Sequence, residues 1–247
     1  MIGDALAFEP WVKRYPGSGA DARATLVFPH AGGAALAYRS LGTALARVGA
    51  DAYVMQYPRR GDRLSHSAAQ TVGALAEDLF AAGDWAGLAP LNLFGHCMGA
   101  VVAFEFARVA ERRGVAVNAL FVSASEAPSA IASAPDLPMA RDEILAEMVD
   151  LGGTDARLLD DDDFVELLLT AVRADYAAFN RYACDAHVRI AADIHTFGGE
   201  ADHRVSEAML RRWETHTGGV FTNSMFDGGH FYVNEHTDDV AELVNAL

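Results

Sequence analysis

The sequence predicts an α/β fold built on a mostly parallel sheet. Short apolar runs bounded by glycine, proline or polar residues are typical of buried strands. These runs alternate with longer segments that have helical periodicity, and the connections between them are short. With 247 residues, the chain is long enough to bury a full core. We therefore expect a central sheet flanked by helices.

The predicted elements follow one another in strand–helix order along most of the chain. Strands are predicted at Ala24–Pro29, Asp51–Tyr57, Leu91–Phe94, Ala119–Ser123, Ile190–Phe197 and Gly219–Phe226. Helices are predicted at Ala34–Val48, Val72–Ala81, from Ala100 to Gly114, and at Val205–Thr217. Strands separated by helices in this way form parallel sheets.

The alternation breaks between residues 125 and 187. A loop rich in Pro, Ala and Ser is followed by predicted helices at Arg141–Leu151, Asp162–Val172 and Ala174–Tyr182. We interpret the acidic run Asp160–Asp163 as a helix start rather than a metal site, because carboxylates are favoured in a first helical turn. We expect one domain over 1–247, with a helical lid inserted at 125–187 above the carboxyl edge of the sheet, where open α/β sheets bind ligands.

Composition excludes several classes of function. A net charge of −15 argues against nucleic-acid binding, which needs a basic surface. No apolar run is long enough to span a membrane. The N-terminal residues lack the pattern of a signal peptide, so we expect a cytoplasmic protein. Two cysteines, Cys97 and Cys184, do not form a disulfide framework.

The segment Gly95-His96-Cys97-Met98-Gly99 lies where a predicted strand meets a predicted helix. This Gly-x-nucleophile-x-Gly pattern is typical of a nucleophile elbow, a turn so sharp that side chains at the two glycines would collide with neighbouring elements. The middle residue is usually serine, whereas this chain has cysteine. The sequence therefore predicts a thiol nucleophile.

A thiol nucleophile needs a base, and the base needs an acid that orients it. His230 follows the last predicted strand, and Asp202 follows the strand before it, with Glu200 as the alternative acid. The order nucleophile–acid–base is that of α/β-hydrolases. The backbone N–H groups of Met98 and of Ala31, in the loop after the first strand, are the candidate oxyanion donors.

Four motifs together resemble the type II thioesterases of polyketide and nonribosomal peptide assembly lines. They are Phe28-Pro29-His30-Ala31-Gly32-Gly33, the run from Gln56 to Leu64, Phe94-Gly95-His96-Cys97-Met98-Gly99, and Gly228-Gly229-His230-Phe231-Tyr232. Leu151–Thr154 and Arg173–Tyr176 resemble that family's lid. The resemblance implies an α/β-hydrolase fold and removal of acyl or aminoacyl groups from phosphopantetheine thiols. It implies acyl or peptidyl carrier proteins as partners and no cofactor.

The resemblance also implies roles for individual residues. Cys97 is the nucleophile, His230 the general base and Asp202 its orienting acid. His30, Gly32, His96, Tyr176 and Phe179 are expected to bind substrate or pantetheine, and Arg59, Arg60 and Arg63 to receive a carrier protein. We expect a monomer. No metal is expected, since His187, His195 and His203 lack partners at ligand spacing.

Two departures from the family matter. The loop Arg59-Arg60-Gly61-Asp62-Arg63 differs from the family's usual sequence, which bears on carrier docking. Cys97 replaces the usual serine, naturally or by design, so the acyl-enzyme would itself be a thioester. Such an intermediate suits transfer to a second thiol as well as hydrolysis. Three hypotheses follow: a thioesterase, an acyl or aminoacyl transferase between carriers, and a non-catalytic module that binds carriers.

Overall fold

The fold is described from a computed structural model, which covers residues 10–18, 23–153 and 160–247. One seven-stranded sheet has the spatial order β1-β3-β2-β4-β5-β6-β7. Its strands are Val12–Tyr15 (β1), Ala24–Phe28 (β2), Asp51–Met55 (β3), Leu91–His96 (β4), Val117–Ser123 (β5), Asp193–Gly199 (β6) and Phe221–Phe226 (β7). β2 to β7 are parallel, which confirms the predicted fold class.

β1 is an edge strand that the sequence analysis missed. It runs antiparallel to β3, with Val12 opposite Met55 and Tyr15 opposite Ala52. Its sequence, VKRY, carries two charges, and an edge strand with one half-exposed face lacks the continuous apolar run of the buried strands. The pattern of apolar residues in the sequence therefore did not identify this strand.

Eight α-helices are present in the part of the chain that the structure describes. They are Arg39–Arg47 (α1), Val72–Ala81 (α2), Met98–Arg112 (α3), Pro128–Ile131 (α4), Arg141–Leu151 (α5), Asp162–Phe179 (α6), Glu207–Arg211 (α7) and Thr237–Ala246 (α8). α4 and α8 have no counterpart among the predicted helices. α6 is one continuous helix where two were predicted, and no proline or glycine interrupts that segment. The predicted helix Val205–Thr217 is a short α7 followed by 3-10 turns over 212–216.

The central strands of the sheet, such as β2 and β4, are buried on both faces. Along β2, Leu26 and Phe28 pack with α2 and α3, whereas Val27 packs with α1 and α8 on the opposite face. Alternate residues of a strand point to opposite faces, so a strand covered on both sides reads as continuously apolar. This three-layer arrangement leaves the carboxyl edge of the sheet for the loops that follow β2, β4, β5, β6 and β7.

The chain between β5 and β6 carries α4, α5 and α6. A small apolar cluster joins α5 to α6, formed by Ile144, Val165, Leu169, Val172 and Tyr176. The side chain of Asp161 accepts hydrogen bonds from the N–H groups of Asp163 and Phe164, so the acidic run begins a helix as predicted. Thr154, the last residue of the predicted lid motif Leu151–Thr154, lies outside the described residues. None of the helices described is both long and apolar enough to cross a bilayer.

Candidate active site

Cys97 occupies a sharp turn between β4 and α3. Its backbone has φ +55° and ψ −125°, a conformation that residues with side chains rarely adopt. The Cys97 N–H donates to the Ser123 carbonyl at 2.8 Å, which fixes the turn to β5. The side chain is partly exposed, and it faces a cavity above the sheet. This is the geometry of a nucleophile elbow.

The two flanking glycines permit close approach of three backbone segments. A Cβ on Gly95 would lie 2.4 Å from the Ala100 Cα, and a Cβ on Gly99 would lie 2.0 Å from the Phe28 carbonyl oxygen. Both distances are far below van der Waals contact. The turn therefore forms only with glycine on each side of Cys97.

His230 and Asp202 form a buried hydrogen-bonded pair beside the elbow. His230 Nδ1 lies 2.9 Å from Asp202 Oδ2, and both side chains are almost fully buried. The other carboxylate oxygen, Oδ1, accepts the N–H groups of Arg204 at 2.8 Å and Val205 at 3.2 Å. Glu200, the alternative acid, is exposed to solvent. The structure thus places Asp202, and not Glu200, on the imidazole.

His230 and Asp202 each stabilise the charged form of the other. Burial opposes ionisation of His230, yet Asp202 and Cys97 outweigh it and raise the pKa of His230 to about 10. Burial likewise acts to raise the pKa of Asp202, but hydrogen bonds from His230 and two backbone N–H groups lower it overall. Nε2 of His230 is buried and makes no conventional hydrogen bond with any described residue. This nitrogen is therefore free for proton exchange on the side away from Asp202.

Two further histidines lie next to His230, and both are held neutral. Burial lowers the pKa of His30 to about 3, helped by the nearby charges of His230 and Arg60. Burial and the charge of His230 lower the pKa of His96 well below its usual value. Their rings contact each other edge to face, at 6.1 Å between centroids. Neither competes with His230 for a proton near neutral pH.

The residues His30–Gly33, here called the oxyanion loop, follow β2 at the edge of the cavity. Met98 is the first residue of α3, so its N–H is one of the helix-terminal donors without an intrahelical acceptor. Ala31 and Met98 both line the cavity with Cys97 and His230. A cluster of backbone donors beside a nucleophile is suited to stabilise a developing oxyanion.

The cavity has a volume of about 570 Å³ and is mainly apolar in its walls. Of the predicted substrate-binding residues, His30, Tyr176 and Phe179 line it. The sequence analysis missed lining residues in the segment after β5 and in α5, α7 and their connections, among them Ile131, Leu137, Met148, Val205 and Met209. In a sequence, an isolated apolar residue of a helix or loop looks the same whether it lines a pocket or packs in the core.

Two predicted substrate contacts need correction. His96 and Gly32 are not among the described residues that line the cavity. His96 is fully buried, and its Nδ1 lies 2.9 Å from the Ser123 hydroxyl, which in turn contacts the Tyr232 hydroxyl. The Gly32 N–H donates to Asp175, so it is not available to a substrate. Both residues therefore stabilise the backbone next to the cavity and do not form its wall.

Two of the three predicted docking arginines also need correction. Arg60 is 6% exposed and makes a bidentate ion pair with Asp175, at 2.6 and 2.7 Å. Arg63 is 2% exposed, stacks on the Trp11 ring and donates to the Gln56 carbonyl. Breaking a buried ion pair such as Arg60–Asp175 costs about 3–5 kcal/mol. These two side chains hold loops in place, and only Arg59 remains partly exposed.

Within the described ranges, no cluster of three His, Cys, Asp or Glu side chains is arranged to hold a metal ion. His195 stacks on Phe121, and His203 pairs with Asp150 at 2.7 Å.

Comparisons with known proteins identify the family and agree with the fold. The sequence profile of the family described as "Thioesterase domain" matches residues 24–247. Phenyloxazoline synthase MbtB of Mycobacterium tuberculosis is 59% identical over 240 residues, which cover 97% of this chain but only 17% of that protein. Thioesterase PikA5 of Streptomyces venezuelae is 35% identical over 95% of this chain and 84% of its own length. The type II thioesterase BorB from the borrelidin biosynthetic cluster superposes with a TM-score of 0.80, at 34% identity, over 96% of each chain.

Proposed function

This chain belongs to the thioesterase domain family of the α/β-hydrolase fold, and we propose that it hydrolyses acyl or aminoacyl thioesters on the phosphopantetheine arms of carrier proteins. The single observation that carries the proposal is that Cys97 and His230 line one cavity, while Asp202 is hydrogen-bonded to the far side of the His230 ring. The relatives named thioesterases act as hydrolases of thioesters. The carrier proteins, the editing role and the cysteine-linked intermediate are the proposed extensions.

Acylation begins with attack of Cys97 Sγ on the thioester carbonyl carbon. The oxyanion of the tetrahedral intermediate accepts hydrogen bonds from the Ala31 and Met98 N–H groups. When the intermediate collapses, the carbon–sulfur bond to pantetheine breaks, and His230 gives its proton to the departing thiolate. The products are free pantetheine thiol and an acyl group on Cys97, with His230 now neutral.

Deacylation reverses the roles. Neutral His230 takes a proton from a water molecule as that water attacks the acyl-Cys97 carbonyl, and Asp202 holds the imidazole in the required orientation. The Cys97–acyl bond breaks, a carboxylic acid leaves, and the thiolate–imidazolium pair is restored. No additional cofactor takes part. The raised pKa of His230 means that its imidazole holds a proton near neutral pH, which it can give to the departing pantetheine sulfur.

The relatives suggest two settings for this reaction. Thioesterases of similar length, such as PikA5, are separate proteins that we expect to edit carriers in trans. The 59% identical segment of MbtB is 17% of a much longer synthase. If this chain is likewise part of a longer polypeptide, we propose that a carrier on the same polypeptide is its substrate. We propose acyl or peptidyl carrier domains as partners in either setting, and a cytoplasmic monomer where the chain stands alone.

The sulfur of Cys97 favours a second candidate, acyl transfer to another thiol. Acylation of a thiol by a thioester is nearly isoenergetic, so the acyl-enzyme retains the reactivity of the substrate. A second pantetheine thiol that enters the cavity would therefore compete with water. Hydrolysis and transfer share every step up to the acyl-enzyme and differ only in the acceptor.

Intact-mass spectrometry over time, with a panel of acyl-pantetheines, tests the proposal. We expect an adduct on the wild-type protein that decays with release of free acid, and no adduct on Cys97→Ala. His230→Ala should slow both phases. Decay only in the presence of a second thiol would establish the transferase. Binding of loaded carrier without any adduct, and without an effect of His230→Ala, would establish a non-catalytic binding module.

A further inference from the structure

Asp175 belongs to α6, yet its carboxylate reaches the oxyanion loop. Oδ2 accepts the Gly32 N–H at 2.8 Å and Arg60 Nη1 at 2.6 Å, while Oδ1 accepts Arg60 Nη2 at 2.7 Å. The side chains of Arg60 and Asp175 are only 6% and 7% exposed. Charge-assisted bonds in such a buried place are strong and geometrically demanding. Asp175 therefore holds the loop in one position relative to α6.

The part of the loop that Asp175 holds is the centre of a tight turn. Gly33 N–H donates to the His30 carbonyl at 2.9 Å, and Gly32 has φ +78°, as in a type II turn. The central peptide of this turn carries the Gly32 N–H. The preceding peptide carries the Ala31 N–H, and only the two backbone torsions of Ala31 separate the two groups. The Gly33–His30 hydrogen bond closes the turn and restricts those two torsions, so holding the Gly32 peptide on Asp175 also sets the direction of the Ala31 N–H.

Two more contacts make the position of the loop dependent on α6 and Arg60. A Cβ on Gly32 would lie 2.5 Å from Val172 Cγ2, so the loop backbone is pressed against the helix one turn before Asp175. Arg60 also donates to the Pro58 carbonyl at 2.9 Å and lies 3.4 Å from the Gly33 carbonyl. The guanidinium thus joins the loop after β3 to the oxyanion loop.

We propose that Asp175 is a positioning residue, which aims the Ala31 N–H at the reacting carbonyl through Gly32 and Arg60. The proposal rests on the proposed function, since it takes Ala31 as an oxyanion donor. Tyr176, the next residue of α6, lines the cavity. One helix therefore contacts both the acyl group and the oxyanion loop, so a displaced α6 would disturb acyl recognition and carbonyl polarisation together.

A purely structural role for Asp175 is the competing explanation, and two reactions of Cys97 separate the two. Acylation by an N-acetylcysteamine thioester passes through an oxyanion. Alkylation by iodoacetamide uses the same thiolate and the same His230 but forms no oxyanion at the loop. A positioning role predicts a selective loss of acylation, whereas general damage to the site lowers both rates.

The principal variant is Asp175→Ala, with Glu105→Ala as its matched control. Glu105 is also a buried carboxylate with charged and polar partners: its two oxygens accept from Arg108 Nη1 at 2.7 and 2.8 Å, and Oε1 also accepts the Tyr182 hydroxyl at 2.8 Å. It belongs to α3 and makes no hydrogen bond to the oxyanion loop. For Asp175→Ala we expect acyl-enzyme formation to slow by about 100-fold, as for loss of one oxyanion donor. Its iodoacetamide rate should match that of the wild type. Glu105→Ala should keep both rates at the wild-type value.

The double variant Arg60→Met/Asp175→Leu tests the proposal even if Asp175→Ala does not fold. It removes both charges, and replacing a buried ion pair by apolar side chains is often neutral for stability. Gly32 still loses its acceptor, so selective loss of acylation should persist in the double variant. Equal loss of acylation and alkylation, or wild-type acylation in a folded variant, would overturn the proposal. Wild-type protein that forms no adduct at all would instead contradict the proposed function.

Discussion

The side chain of Asn180 makes two reciprocal hydrogen bonds with the backbone of Leu137. Its Nδ2 donates to the Leu137 carbonyl, and its Oδ1 accepts the Leu137 N–H, each at 2.9 Å. Both residues line the cavity. The pair ties the loop after α4 to the end of α6, so it fixes one wall of the acyl pocket without touching Cys97.

Replacing Asn180 by alanine should therefore alter substrate binding more than chemistry. Two lost hydrogen bonds lower the free energy of unfolding by about 1–3 kcal/mol, and the loosened wall raises KM several-fold while kcat is retained. Steady-state kinetics with an acyl thioester check this. Asn245→Ala is the control, since Asn245 Nδ2 donates to the Val48 carbonyl at 3.0 Å on an exposed surface. A fall in kcat at constant KM would contradict this account.

Gly99→Ala should abolish the elbow. The added methyl group would lie 2.0 Å from the Phe28 carbonyl oxygen, so α3 or β2 must shift, at a cost of at least about 3 kcal/mol. Gly73→Ala on α2 is the matched control, because a Cβ there meets nothing within 4 Å. That change should stabilise the fold by roughly 0.5–1 kcal/mol. Urea unfolding of both variants measures the contrast, and similar midpoints would refute it.

The pH dependence of stability should report on His230. Its pKa is raised from 6.5 to about 10 in the folded protein. The folded state therefore binds this proton more tightly than the unfolded chain does. The resulting stabilisation is complete below pH 6.5 and is lost as the pH rises towards 10, by an amount on the order of a few kcal/mol.

Urea unfolding between pH 6 and 10, together with an NMR titration of the imidazole, measures both effects. Asp202→Asn and Cys97→Ala should each lower the pKa of His230 and flatten the pH profile, because both partners contribute to the shift. A His230 pKa near 6.5 in the wild type would contradict the stabilisation of the imidazolium by Asp202 and Cys97.

Cys97→Ser should change the fate of the acyl group while preserving the fold. The backbone conformation at this position does not depend on the side-chain atom, but serine forms an oxygen ester, which is a poorer acyl donor to thiols. With added cysteamine, we expect wild-type protein to form some acyl-cysteamine and the variant to form mainly free acid. The product ratio, measured by chromatography, should fall about tenfold or more. Equal ratios would show that the acceptor is chosen by the cavity and not by the nucleophile.

The parallel strands, and the grouping of Cys97, Asp202 and His230 at one candidate site, could be predicted from the sequence because each has a local signal. Doubly buried strands read as apolar runs, and Cys97 and His230 lie in glycine-rich turns directly after them. Arg60 and Asp175 gave no comparable signal, since they are 115 residues apart and their pairing depends on how α6 lies over the sheet. An arginine cluster in a sequence looks the same whether it faces solvent or a buried carboxylate.

The antiparallel direction of β1 determines from which side a preceding segment reaches this fold. Val12, the first residue of β1, pairs with Met55 at the carboxyl end of β3, and the neighbouring Trp11 carbonyl accepts the Gln56 N–H. The polypeptide therefore enters the sheet on the same side as Cys97 and the oxyanion loop. In a longer polypeptide, a segment ahead of β1 would therefore start on the side of the sheet that carries Cys97. A domain tethered there would reach the cavity without passing around the sheet.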